Sequence, residues 1–270
     1  MLKILLLGAI SGFPWVLIGS SLTLWLNEEG LSRSTIGWAG LIFAVYAFNY
    51  LWAPLIDRIY IPFLTKKIGH RKSWIFLMQT IIILCLICWN FSDPSSNLGL
   101  VIGIGLIIAI SSSTQDITVD ALRIEQIRPN EKEAMSAGAA IAVVGWWSGY
   151  KLGGAFSLNL AQFFENLGYE NYWELAFIGL GIIIVFFNFG LLFIKENSHL
   201  KKRKNQNILD NKILKKLKND NFFLKIIAWI TSTISGPLMN FFKKNGISIA
   251  IAIVAFIFLF KIGEAFLGRM

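Results

Sequence analysis

In the stretch "SSSTQDITVDALRIE", Asp116 and Asp120 stand four residues apart, with Gln115 directly before the first and Arg123 three residues after the second. That spacing puts both acids on one face of a helix, and Arg123 on the same face. The preceding run, "NLGLVIGIGLIIAI", is apolar throughout. An aspartate at the centre of a membrane helix costs roughly 2.5–3.5 kcal/mol, so it needs a partner, water or a working role. At about 1.5 Å per residue, Asp116 lies about 27 Å along a helix counted from Leu98, in the inner part of a span. Arg123 can neutralise Asp120 directly. Asp116, preceded by Gln115 and the polar run Ser111–Thr114, reads more readily as facing a cavity.

A second charge in an apolar setting is Lys151, in "VVGWWSGYKLGGAF". A lysine at that depth must be paired, hydrated or neutral. Binding an anion and pairing with a carboxylate both remain open for it. Ser148, Gly149, Gly153 and Gly154 permit close helix packing. Trp146, Trp147 and Tyr150 could offer flat faces to a sugar ring, or simply pack. Lys261 and Glu264 stand at i and i+3 and can pair with each other, and Gly12, Phe13 and Pro14 mark a flexible or broken stretch. Cys85 and Cys88 form a C-x-x-C within an apolar run, with no second ligand pair and no polar setting nearby. They read as inert helix cysteines.

The elements that must position these groups are membrane helices. The chain has 270 residues, 55% hydrophobic and 15% charged. Soluble proteins average about 45–50% apolar and about 25% charged residues. A span needs about 20 mostly apolar residues, and seven stretches qualify, near 3–26, 35–56, 73–91, 98–120, 135–161, 172–194 and 247–268. The fold class is therefore all-α, a polytopic membrane helix bundle. Residues 1–194 form a six-span unit, 195–246 a basic cytoplasmic linker with a helix lying along the membrane surface, and 247–270 a seventh span.

The net charge of +9 lies between apolar runs, which argues for anionic lipid and against nucleic acid as the partner. Arg58, Lys66, Lys67, Arg71 and Lys72 follow the second span, Arg123, Arg128 and Lys132 the fourth, and a densely basic stretch the sixth. The positive-inside rule then puts the N-terminus in the cytoplasm. Trp25, Trp38, Trp89 and Trp173 fall at the expected outer ends, where tryptophan favours the headgroup level. The two histidines lie in loops, and there is no nucleophile–base pair, metal cluster or phosphate loop. An enzyme is not expected, and neither is a cofactor.

The loop "APLIDRIYIPFLTKKIGHRKSW" resembles the signature loop of the major facilitator superfamily, Gly-x-x-x-Asp-Arg-x-Gly-Arg-Lys. Ala53 replaces its first glycine and "YIPFLTKKI" is inserted within it. Asp57 with Arg58, Arg71, Lys72 and Arg123 could form a latch on the inner face that breaks and re-forms as a transporter rocks. More specifically, "SGFPWVLIGSSLTLWLNEEGLSRSTIG", "YLWAPLIDR", "SSSTQDITVDALRIE", "GYKLGG" and "KIGEAFLG" together resemble the AmpG-like muropeptide permeases, over nearly the whole chain. The resemblance implies a bacterial inner-membrane importer of anhydromuramyl sugar-peptides, driven by protons, with Gln115, Asp116, Asp120 and Lys151 in the transport pathway. Those permeases have two halves, whereas this sequence stops at Met270. The expectation is a chain truncated after its seventh span, working with a second half or as a homo-oligomer. The alternatives are a non-transporting remnant, or a carrier of another bulky anion such as acetyl-coenzyme A.

Overall fold

A computed structural model describes residues 1–128, 130–196 and 241–267, together with Trp229, Thr233 and Met239. Its main helices are α1 (Leu2–Glu28), α2 (Arg33–Leu51), α3 (His70–Trp89), α4 (Leu98–Glu125), α5 (Lys132–Asn166), α6 (Tyr172–Leu192) and α7 (Ile247–Leu267). The chain divides into two units. One comprises Met1–Asn49 and Ile61–Glu196, the other Tyr50–Tyr60 and Asn197–Met270. The surface-lying helix expected within 195–246 falls largely outside the described residues, of which 241–245 are helical.

Among the described residues five helices, α1, α2, α3, α4 and α6, are long and apolar enough to cross a membrane. Helix α5 is the longest at 35 residues but is not among them. Its middle, from Gly145 to Lys151, holds glycine, serine, tryptophan, tyrosine and lysine in place of aliphatic residues. Helix α7 covers the expected seventh span, 247–268, nearly to its end. The second expected span, 35–56, stops early: α2 ends at Leu51, and a separate helix runs Ala53–Arg58. Pro54 explains the break at Trp52, because a proline has no N–H to give and its ring clashes with the carbonyl four residues back, so it is tolerated in the first turn of a new helix and not inside a continuous one. The fourth span runs five residues past 120, so that Asp120 and Arg123 are both helical.

In the first unit, α1 and α5 cross along a seam of small residues. The buried stripe of α5 is Gly145, Gly149, Gly153, Ser157 and Ala161, every fourth residue. Spacing of this kind lets helix backbones approach closely. A Cβ placed on Gly149 would lie 2.8 Å from the Cα of Ala9, and one on Gly8 would lie 2.9 Å from the Trp146 nitrogen. The Ser21 and Ser157 hydroxyls meet at 2.8 Å and continue the seam.

The tryptophans expected at the outer headgroup level take a different part. Trp25, Trp89 and Trp173 are buried and pack on Phe177, with ring centroids 5.2, 4.9 and 6.0 Å away. Their indole nitrogens need acceptors once buried. Trp89 donates to the Val101 carbonyl at 3.1 Å, and Trp173 donates to the Glu28 carboxylate, which also accepts from Tyr172 at 2.8 Å. Only Trp38 of the four is exposed. Three of these residues therefore form bundle core, because α1, α3, α4 and α6 converge there.

Candidate functional site

Pro14 has no N–H, so the carbonyl of Ile10, four residues earlier, lacks its intrahelical donor. Neighbouring helices commonly satisfy such a group in a membrane protein. Here the side-chain amide of Gln115, from α4, donates to the Ile10 carbonyl at 2.7 Å, and both residues are fully buried. One residue further on each helix, the Ser11 hydroxyl donates to the Asp116 carboxylate. The sequence pair Gln115–Asp116 thus docks α4 against the irregular part of α1. That irregularity continues as a π-helical segment, Leu17–Ser21. Segments of this type are frequent at functional sites.

Beyond Asp116 the site is aromatic. The Tyr46 side chain, from α2, lies beside Ser112 and within electrostatic reach of Asp116. The hydroxyls of Tyr46 and Ser112 are neighbours without meeting hydrogen-bond geometry. Trp15 packs at a tilt against Tyr46 and Phe43, with centroids 4.6 and 4.8 Å apart, and meets Trp146 edge-on at 5.5 Å. Trp146 in turn stacks on Tyr150 at 5.6 Å. The structure therefore brings together Gln115, Asp116, Trp146 and Tyr150 of the residues singled out in the sequence. It takes Ser112 from the polar run Ser111–Thr114 and adds Ser11, Trp15 and Tyr46, whose residue types are unremarkable in an apolar helix.

Lys151 and Asp120 stand apart from this group. Lys151 is exposed on the face of α5 opposite the glycine stripe, its ammonium 5.4 Å from the centroid of the Trp147 ring. It makes no ion pair with a carboxylate among the described residues. Asp120 is exposed and bound by Arg123, at 3.1 Å, as the i, i+3 pair that its spacing suggested.

Of the residues expected in the inner-face latch, Arg71 pairs with Glu125 at the end of α4, at 3.6 Å. The carboxylate of Glu196 accepts from the backbone nitrogens of Arg71 and Lys72, at 2.7 and 3.0 Å, and so caps α3 from the chain beyond α6. Gly69 precedes that cap with φ +106°, and a Cβ there would run into the Glu196 side chain. Gln126 adds a bond to the Lys195 carbonyl at 2.9 Å. Lys72 is buried in the same region. Asp57 and Arg58 belong to the second unit. There Arg58 donates to the Trp229 carbonyl at 2.8 Å and to Thr233, with its guanidinium 5.2 Å from the Trp229 ring centroid. Glu125 and Glu196 escaped the sequence reading, since acids at helix ends are ordinary.

Residues 4–270 match the Major Facilitator Superfamily, and the chain belongs to that family. It is a multi-pass membrane protein. Among its relatives is a Rickettsia conorii protein designated transporter AmpG 4, 32% identical over 270 residues, which cover 100% of this chain and 58% of the relative. The anhydromuropeptide permease of Escherichia coli K12 is 29% identical over 264 residues, covering 97% of this chain and 46% of the permease. AmpG 1 of Rickettsia felis is 37% identical over 186 residues, 68% of this chain and 42% of its own length. The chain spans about half the length of the curated relatives it matches.

Proposed function

We propose that this chain forms one half, and the first helix of the other, of a proton-coupled carrier that imports anhydromuramyl sugar-peptides across a bacterial inner membrane. Its N-terminus faces the cytoplasm, and the remaining walls come from further sequence, a second chain or a second copy. The observation that carries the reading is the Ser11–Asp116 contact between α1 and α4, beside Tyr46 and an aromatic group that includes Trp146 and Tyr150. A carboxylate in such a place binds a proton without leaving a buried charge, and so can couple proton entry to substrate entry. Secondary transporters place substrate and coupling ion near the midplane, where helices are interrupted. Here the interruption is Pro14 and the π segment behind it. The relatives named as permease and transporter support the substrate class. The charges of Arg71, Glu125 and Glu196 would tie the inner ends of α3, α4 and α6 as the unit moves.

The test is uptake of labelled anhydromuropeptide into proteoliposomes under an inward proton gradient, with the missing half supplied. Accumulation that is lost in Asp116→Asn supports the reading. Accumulation unchanged in that variant removes Asp116 from coupling, and no uptake above empty vesicles removes the transport assignment.

A further inference from the structure

Besides the side-chain oxygen of Gln115, three hydrogen-bonding atoms in the Asp116 neighbourhood make no hydrogen bond within the protein: the Trp15 indole nitrogen, the Tyr46 hydroxyl and the Ser112 hydroxyl. The Tyr46 and Ser112 side chains are nonetheless more than nine-tenths buried. Buried polar atoms are almost always satisfied, so a group of unsatisfied ones calls for a specific cause. They come from three helices, α1, α2 and α4, and are linked by direct contact: Trp15 packs on Tyr46, and Tyr46 lies beside Ser112.

The chemistry of the set is narrow. Tyrosine and serine hydroxyls both donate and accept, while the indole N–H only donates. Around them stand the apolar faces of Trp15, Phe43, Tyr46, Trp146 and Tyr150. Ring faces with adjustable hydroxyl partners suit a neutral ring bearing several hydroxyls, whose C–H face lies on an aromatic plane. A phosphate-bearing ligand would want a cation here, and Lys151 sits on the opposite face of α5 above Trp147. Asp116 is already engaged by Ser11, and a proton carrier is better kept out of permanent bonds to cargo.

We infer that Tyr46, Ser112 and Trp15 form the specificity-determining subsite for the sugar ring of the cargo, separate in role from Asp116. The inference rests on the transport reading above. The aromatic packing around them holds these groups in place. Bound cargo supplies their missing partners.

The experiment is binding to the full chain together with the other half of the carrier in lipid nanodiscs, followed by intrinsic tryptophan fluorescence, with anhydro-N-acetylmuramyl tripeptide and the free tripeptide as probes. Tyr46→Phe and Ser112→Ala are each expected to weaken the muramyl probe about five-fold, the worth of one net hydrogen bond. Both variants should leave thermal stability unchanged or higher, because the hydroxyl removed has no partner in the protein. Variants that bind the muramyl probe as the parent does overturn the subsite, as does a clear loss of stability, which assigns the hydroxyls to the fold. A parent that binds the free tripeptide as tightly as the muramyl probe also overturns the ring assignment and leaves transport standing. A parent that binds neither probe overturns the transport reading itself.

Discussion

If Gln115 is present to replace the donor that Pro14 cannot supply, its worth must depend on Pro14. Replacing Gln115 by Leu keeps most of the volume and strands the buried Ile10 carbonyl, whose present bond is 2.7 Å long. An unsatisfied buried acceptor costs about 1–3 kcal/mol. In a Pro14→Ala background the new amide at position 14 can close the ordinary helical bond to Ile10, and losing Gln115 should then cost little. The two substitutions should couple by about 1–2 kcal/mol, well above the ~0.5 kcal/mol scatter of independent sites. At about 2–4 °C per kcal/mol for chains near this size, Gln115→Leu alone should lower the unfolding midpoint by about 2–12 °C, and the Pro14→Ala background should restore most of it. Thermal unfolding of the parent, both single variants and the double variant in one detergent measures the cycle. Additive effects would refute the reasoning and leave the Gln115 amide without its explanation.

Four other outcomes follow from the structure. Gly149→Ala drives a methyl into the Ala9 backbone and should destabilise by about 1–3 kcal/mol, whereas Gly154→Ala meets nothing closer than Ser20 Oγ at 3.9 Å and should be neutral or stabilising; paired melts decide between them. Glu196→Ala removes the cap on α3 and should cost about 0.5–2 kcal/mol, read as faster amide exchange at Arg71 and Lys72. Glu28→Gln weakens the acceptor shared by Tyr172 and Trp173, and should shift the tryptophan fluorescence and lower the unfolding midpoint. Bonds from Ser95 and then Ser96 hold the Asp93 carboxyl below its usual range. Its folded pKa is depressed, so its contribution is present above the ordinary carboxylate value of about 3.9 and fades as pH falls through the lowered one. A pH series of melts should therefore separate the parent from Asp93→Asn at neutral pH and bring them together in acid.

How much could be read in advance depends on how conspicuous a residue is against its background. Asp116 and Gln115 stand out in an apolar helix, and the structure shows both at the contact of α1 with α4. The Asp120–Arg123 pair follows from spacing alone, and it is present. Ser112 belongs to the conspicuous run Ser111–Thr114, whereas Tyr46 and Trp15 carry no such signal, because tyrosine and tryptophan are common in membrane helices. Only the packing of α1, α2 and α4 reveals that they share a place. Lys151 drew attention by charge, yet its direction is set by the glycine stripe, which takes the opposite face of α5 for the seam. The tryptophans expected at outer ends show the same limit. Their height along the bundle can be counted along the chain, whereas their inward orientation depends on three other helices.

The π segment Leu17–Ser21 also governs the gearing of α1. A π turn absorbs one extra residue, and one residue in an α-helix is worth about 100° of rotation. The stretch before it aims Ser11 and Trp15 at the polar site, and the stretch after it aims Trp25 at the core around Phe177. Rewinding that single turn would rotate one of these faces against the other without breaking the helix. The two ends of α1 are thus phased like cogs on one shaft: a one-residue deletion between Leu17 and Ser21 would turn the π turn into an α turn and keep them in step, whereas rewinding it with every residue in place would not.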